Sequence, residues 1–198
     1  EEYLETKAVL GYSGGLSSSF IKAGMTRKAS FPPVVAPGTR VLILGSLPGE
    51  RSLAERRYYA HPQNQFWRLV GSAIERELEA LEYEARLAAL LAAGIGLWDT
   101  VASATRAGSL DAAIREPRHN PLAELVATLP ELRAVAFNGA TSARIGMAAL
   151  AGSHLALLPL PSSSPAYAAM PFPEKRRLWA AIGEFLGQPL ASRASQPQ

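Results

Sequence analysis

The chain predicts a doubly wound α/β domain, and a few observations carry that expectation. Short apolar runs alternate with stretches of helical periodicity along most of the sequence. The first run, Val41–Leu44, is continuously apolar, as a parallel strand covered on both faces must be. Small or tightly turning residues follow the runs: Gly-Ser-Leu-Pro-Gly at 45–49, Asp-Thr at 99–100, Asn-Gly at 138–139 and Pro-Ser-Ser-Ser-Pro-Ala at 161–166. In an open sheet of this kind ligands bind outside the carboxyl ends of the strands, so these stretches mark one candidate edge.

Taken in order, Val41–Leu44 is the first strand. Asn64 caps a helix reaching about Leu78, whose Phe66, Leu69, Val70, Ala73, Ile74 and Leu78 keep helical spacing. A shorter helix over Glu84–Ala92 is stopped by Gly94. Gly96–Trp98 forms the second strand. Asn120-Pro121 opens a helix to about Thr128, with proline at its first position. Arg133–Phe137 is the third strand, and Asn138-Gly139 leads into a helix over Thr141–Leu150. His154–Leu158 is the fourth strand. Pro173–Leu186 is the last helix, with Trp179, Ile182 and Phe185 turned to the core.

Composition narrows the classes. A length of 198 residues suits one domain, and 48% hydrophobic residues can bury a substantial core. The folded part is expected over 25–187. Residues 1–24 include a Gly/Ser-rich stretch and precede Met25, which reads as a natural start after a leader or tag; 188–198 reads as a frayed tail. No run is long and apolar enough to cross a bilayer. The absence of cysteine excludes disulfides, cysteine-ligated zinc and iron–sulfur clusters. His61, His119 and His154 show no metal-ligand spacing, so neither metal nor cofactor is expected. A net charge of +3 and a pI near 9.4 lean gently toward a polyanionic partner.

By itself, the turn at 45–49 reads as an ordinary βα connection. A longer pattern surrounds it: Gly45, Ser46, Pro48, Gly49, Ser52, Tyr58, Tyr59, His61, Pro62, Asn64, Phe66 and Trp67. Gly-Ile-Gly-Leu-Trp-Asp-Thr at 94–100, Gly-Ser-Leu-Asp at 108–111, Phe-Asn-Gly at 137–139 and Leu-Pro-Ser-Ser-Ser-Pro-Ala at 160–166 extend it. On these residues the chain resembles the uracil-DNA glycosylase superfamily, nearest its hypoxanthine-DNA glycosylase branch, with the mismatch-specific uracil/thymine glycosylases next. The resemblance implies a single domain with a four-stranded parallel sheet flanked by helices on both faces. It implies a monofunctional enzyme, without cofactor, that flips a deaminated base from DNA and hydrolyses its N-glycosidic bond. A monomer acting in the cytoplasm of a bacterial-type cell, held at the nucleoid through DNA, goes with that reading.

The resemblance also assigns roles. The turn formed by Ser46, Leu47, Pro48 and Gly49 lines the base pocket with backbone amides. The uracil branches carry a catalytic Asp or Asn where this chain has Leu47. An apolar side chain cannot orient water, so the pattern turns toward the hypoxanthine branch and Asn64 becomes the candidate for holding the attacking water. The plainer reading of Asn64 is a helix cap. Tyr59 occupies the place of an aromatic that stacks on the flipped base, or else packs under the loop; Tyr58 belongs to the core. Asp99 stands where uracil enzymes read the base; it could accept an N–H of hypoxanthine or uracil, activate water, or cap the next segment. Asn138, Gly139, Ser162, Ser163, Ser164 and Ala166 match loops that grip the DNA backbone, and Ala166 or, better, Tyr167 would fill the space the base leaves. Lys175, Arg176 and Arg177 read as a solvated helix start.

Other classes fit less well. A hydrolase elbow is Gly-x-Ser-x-Gly, and Ser46 stands one place too early for it. A nucleotide-binding loop would need the Lys-Ser/Thr of a P-loop or the spaced glycines of a dinucleotide fold, and the chain has neither.

Overall fold

The computed structural model describes residues 27–187. The leader expected over 1–24 and the tail over 188–198 lie outside those residues.

A four-stranded parallel sheet forms the centre, as expected. β2 (Val41–Gly45) lies between β3 (Ile95–Asp99) and β6 (Ala134–Asn138), and β7 (Ala156–Leu160) pairs with β6, giving the order β3-β2-β6-β7. All five residues of β2 are buried, because successive side chains feed different layers. Val41 and Ile43 join Phe66, Trp67, Leu69, Leu90, Trp179 and Ile182 on one face. Leu42 and Leu44 join Leu122, Leu129, Phe137, Ala143 and Leu150 on the other. The helices are α1 (Glu50–Glu55), α2 (Phe66–Ala73), α3 (Tyr83–Ala92), α4 (Leu122–Ala127), α5 (Ala140–Ala149), α6 (Phe172–Trp179) and α7 (Gly183–Leu186). None is long and apolar enough to cross a membrane.

Several expectations shift. α2 starts after Gln65 rather than at Asn64, and ends at Ala73 because Glu75 turns left-handed at φ 53°. Leu78 still enters the core, 1% exposed, but from the loop beyond the helix. β7 sits two residues later than its apolar run suggested. The last helix is interrupted by a 3-10 turn over Ala180–Ile182. Lys175 is not solvated: it is 1% exposed.

A second, antiparallel sheet went unpredicted. β1 (Arg27–Ala29), β4 (Val101–Thr105) and β5 (Arg115–His119) pair in the order β1-β4-β5. β4 leaves the end of β3 after the single residue Thr100. β5 is exposed throughout and contains Pro117 and a left-handed Glu116, so it offered neither alternation nor a clean apolar run.

The register aligns the site. Gly45 pairs with Asp99, Leu44 with Phe137, and Asn138 with Leu160, so the turns after all four strands open on one edge.

Candidate active site

The carboxyl edge of the sheet encloses a cavity of about 310 Å³, near the lower end of the usual range for small-ligand sites. Its walls come from the turn at 45–49, the start of α1, the Tyr58–Asn64 segment, Asp99, the 109–111 loop, Asn138 and the 162–167 loop.

Arg106, fully buried, fixes the first wall. Its guanidinium donates to the carbonyl oxygens of Leu47, at 3.1 Å, and of Pro48. Ser46 Oγ donates to Asp111 Oδ1 at 2.7 Å, and Ser109 Oγ accepts the Glu50 N–H at 2.9 Å. The 108–111 loop and the 45–49 turn are thus one rigid unit. Leu47 is 5% exposed and packs with Val101, Ala104 and Ile145 while still bordering the cavity. Its side chain anchors the turn, so any base contact from this position falls to the backbone. Ser46 has its hydroxyl committed to Asp111, which is no arrangement for a serine nucleophile.

At the end of β3, Asp99 is 3% exposed and its Oδ2 has no hydrogen-bond partner. Burial pushes its carboxyl up to about 8; Arg106 opposes that shift and Asp111 adds to it. Asn120 Nδ2 donates to the Asp99 carbonyl at 2.8 Å and holds the strand end in place. The close approach of Gly45 explains why only glycine serves there: a Cβ would lie 2.7 Å from Asp99 Oδ1 and 3.2 Å from Tyr59 Oη.

Tyr59 stacks on Phe66, ring centroids 3.7 Å apart and planes within 10°. One ring face is therefore backed by a fully buried phenyl, while the residue also lines the cavity. Its hydroxyl is buried without a partner. Asp99 and Tyr59 thus each keep a buried polar atom unpaired beside one cavity, a rare condition in a folded protein. Tyr58 is 3% exposed, in the core as expected.

Asn64 lines the cavity, and its Oδ1 accepts the Phe66 N–H at 3.0 Å. The helix begins one residue later than a cap at Asn64 would give, but the bond still satisfies an amide of its first turn. It also fixes the side chain, and the carbonyl oxygen keeps a second lone pair. The capping and water-holding readings of Asn64 are compatible.

Asn138 and Ser163 are spent on each other. Asn138 Nδ2 donates to Ser163 Oγ and its Oδ1 accepts the Ser163 N–H, both at 2.8 Å, and Ser163 is fully buried. Gly139, at φ 98°, gives its N–H to Phe137 and Leu160 carbonyls. The outward donors of the loop are then the hydroxyls of Ser162 and Ser164, whose oxygens accept the N–H of Ser164 and Ala166 at 3.2 Å. Ala166 is exposed, and Tyr167 is 39% exposed. Lys175 explains its own burial here: Nζ donates to the Tyr167 carbonyl at 2.8 Å and to Gln65 Oε1 at 3.1 Å, tying the loop to the start of α2. Desolvation lowers its pKa.

Sequence reasoning missed Arg106, Asp111 and Lys175. Asp111 lay within a recognised stretch, but nothing local distinguishes Arg106 from a surface arginine. No cluster of three His, Cys, Asp or Glu able to hold a metal occurs among the described residues.

A family model described as the uracil DNA glycosylase superfamily matches residues 32–183. The chain is 44% identical over 116 residues to a hypoxanthine DNA glycosylase of Methanosarcina barkeri, covering 59% of this chain and 73% of that one. It is 43% identical over 112 residues to a hypoxanthine DNA glycosylase of Methanosarcina acetivorans, covering 57% and 71%. The solution NMR structure of a candidate uracil DNA glycosylase from Methanosarcina acetivorans superposes with a TM-score of 0.74 at 37% identity, over 81% of this chain and 99% of that one.

Proposed function

Given that this chain belongs to the uracil DNA glycosylase superfamily and is a DNA glycosylase, we propose that its substrate is DNA carrying a deaminated base, hypoxanthine before uracil. The observation that carries the reading is the pair of unpartnered buried groups, Asp99 Oδ2 and Tyr59 Oη, beside a cavity of base-accepting size.

In this reading the flipped base lies on the Tyr59 ring, which Phe66 keeps from tilting. With its proton held up to about pH 8, Asp99 can donate to a base carbonyl as well as accept a base N–H. The backbone of Ser46–Gly49, braced by Arg106, faces the departing base, where amide dipoles favour the negative charge that develops. Asn64 uses its remaining lone pair to hold the water that attacks the sugar carbon as the N-glycosidic bond breaks. The leaving base takes the electron pair of that bond, and the proton lost by the attacking water ends on the departing base, so that water is added across the bond. Ser162, Ser164 and Tyr167 meet the DNA at the rim. The relatives' names and the apolar Leu47 favour hypoxanthine over uracil as the preferred lesion.

No lysine lines the cavity among the described residues, which supports a monofunctional enzyme without a Schiff base. Borohydride should trap no protein–DNA adduct. A monomer acting in the cytoplasm at the nucleoid belongs to the same proposal, and sedimentation of the free protein tests the first part. The substrate reading is tested by incubating the protein with hypoxanthine-, uracil- and xanthine-containing oligonucleotides and cleaving abasic sites with alkali. Breaks at hypoxanthine above those at uracil are expected; breaks at uracil alone would overturn the preference.

A further inference from the structure

We propose that Leu110 is a second DNA wedge, entering the duplex beside the cavity from the hairpin that joins β4 to β5. The proposal rests on the DNA-glycosylase reading but concerns a surface that reading does not use.

Leu110 is 60% exposed, the most open of the large hydrophobic side chains among the described residues, and it lines the cavity. Tyr167, already placed at the rim, is the other exposed large apolar residue there. Isolated exposed leucines need no explanation, but this one sits on an unusually well-tethered loop. Lys28 Nζ, itself buried, donates to the Gly108 carbonyl at 2.6 Å and to Glu50 Oε1 at 2.9 Å. Ser109 holds the Glu50 N–H, and Asp111 takes the Ser46 hydroxyl at 2.7 Å and stands 3.9 Å from Arg106. The residues flanking Leu110 on both sides are thus bound to the motif turn or α1, while its own side chain faces solvent. Wedges that part stacked bases need such a mount, because the loss of stacking at the opened step opposes insertion.

The small sheet behind the hairpin supplies charge complementarity. Arg27 and Arg115 both pair with Thr105 and, across a register shift, Arg118 pairs with Ser103; Arg27, Arg115 and Arg118 are all exposed, while the Arg115 guanidinium also donates to the Ala112 and Ile114 carbonyls. Glu116 is the acidic residue of β5, and its Oε2 accepts from Thr105 Oγ1. Exposed arginines on the sheet whose hairpin carries an apolar tip fit a phosphate backbone running away from the flipped base. These arginines and Leu110 would together seat the duplex rather than the isolated strand.

The test compares base release from one lesion in duplex and in single-stranded DNA under single-turnover conditions. Leu110→Ala should lower the duplex-to-single-strand rate ratio about tenfold, and Leu110→Met should restore most of it. An equal loss on both substrates, or an unchanged ratio, would overturn the wedge. A second readout separates this from failure of the functional reading, which would show as a wild-type protein inactive on every deaminated base. In a duplex with a stable abasic-site analogue beside 2-aminopurine, saturating wild-type protein should raise the fluorescence and Leu110→Ala should raise it far less. Equal fluorescence for both proteins contradicts the wedge whatever the catalytic result.

Discussion

The carboxamide of Asn138, at the end of β6, grips Ser163 twice, through its N–H donor and its carbonyl acceptor, each at 2.8 Å. The bond ties the loop after β7 to the strand beside it. Asn138→Ala leaves the buried N–H and hydroxyl of Ser163 without partners, a cost of about 1–3 kcal/mol each at most. The urea midpoint should fall clearly, and DNA affinity should fall with it. An unchanged midpoint would mean the pair is not structural.

Gly45 touches the same edge. A methyl group there would lie 2.7 Å from Asp99 Oδ1, so Gly45→Ala must displace a buried carboxyl. We expect a loss of about 1–3 kcal/mol of stability from overpacking and a larger proportional loss of base release. Wild-type activity in Gly45→Ala would remove Asp99 from the site.

The main sheet was legible because Val41–Leu44 and the runs after it carry an apolar signal that both covering layers require. The small sheet was not: β5 buries nothing, and β1 is three residues long. In the site, Asn64, Asp99 and Tyr59 stood out because their turns did, and the structure gathers them around one cavity. The sequence expects Asn138 and Ser163 to grip DNA; the structure shows their side chains bonded to each other, a pairing across neighbouring loops that no local pattern announces. A charge run on a helix predicts a solvated Lys175; the carbonyl of Tyr167, eight positions earlier, supplies the reason it is buried instead. Arg106 acts on residues 58 and 59 positions away, a separation no local pattern encodes.

Asp99 predicts two pH dependences. Its ordinary pKa of 3.8 holds in the unfolded chain, while the folded protein keeps the proton up to about 8. Between those values the unfolded state binds fewer protons, so this group's contribution makes stability fall as pH rises through the window. Asp99→Asn should remove that slope in thermal melts taken from pH 5 to pH 9. If the neutral carboxyl reads the base, base release should also decline above about pH 8, and Asp99→Asn should stay active without that limb. A rate that instead rises through the same range would make Asp99 a base that activates water.

Tyr59 separates ring from hydroxyl. Tyr59→Phe removes a buried, unpartnered hydroxyl, so stability should hold or rise slightly. Its base release should drop only as far as the hydroxyl contacts the base. Tyr59→Leu removes the platform and should weaken the bound flipped state by about 1–3 kcal/mol, read in single-turnover saturation curves. Equal behaviour of the two variants would place the ring under the loop and not against a base.

We propose that Asn64, fixed by the Phe66 N–H, holds the attacking water. The most direct measurement is single-turnover release of hypoxanthine by Asn64→Ala, with DNA affinity measured on the same oligonucleotide. Loss of the capping bond alone costs about 1 kcal/mol of stability, which leaves folded protein to assay. The rate should fall by orders of magnitude with affinity retained, and Asn64→Asp, which preserves the acceptor, should show an altered rate and pH dependence. An Asn64→Ala protein that releases hypoxanthine at the wild-type rate would mean that Asn64 does not hold the water.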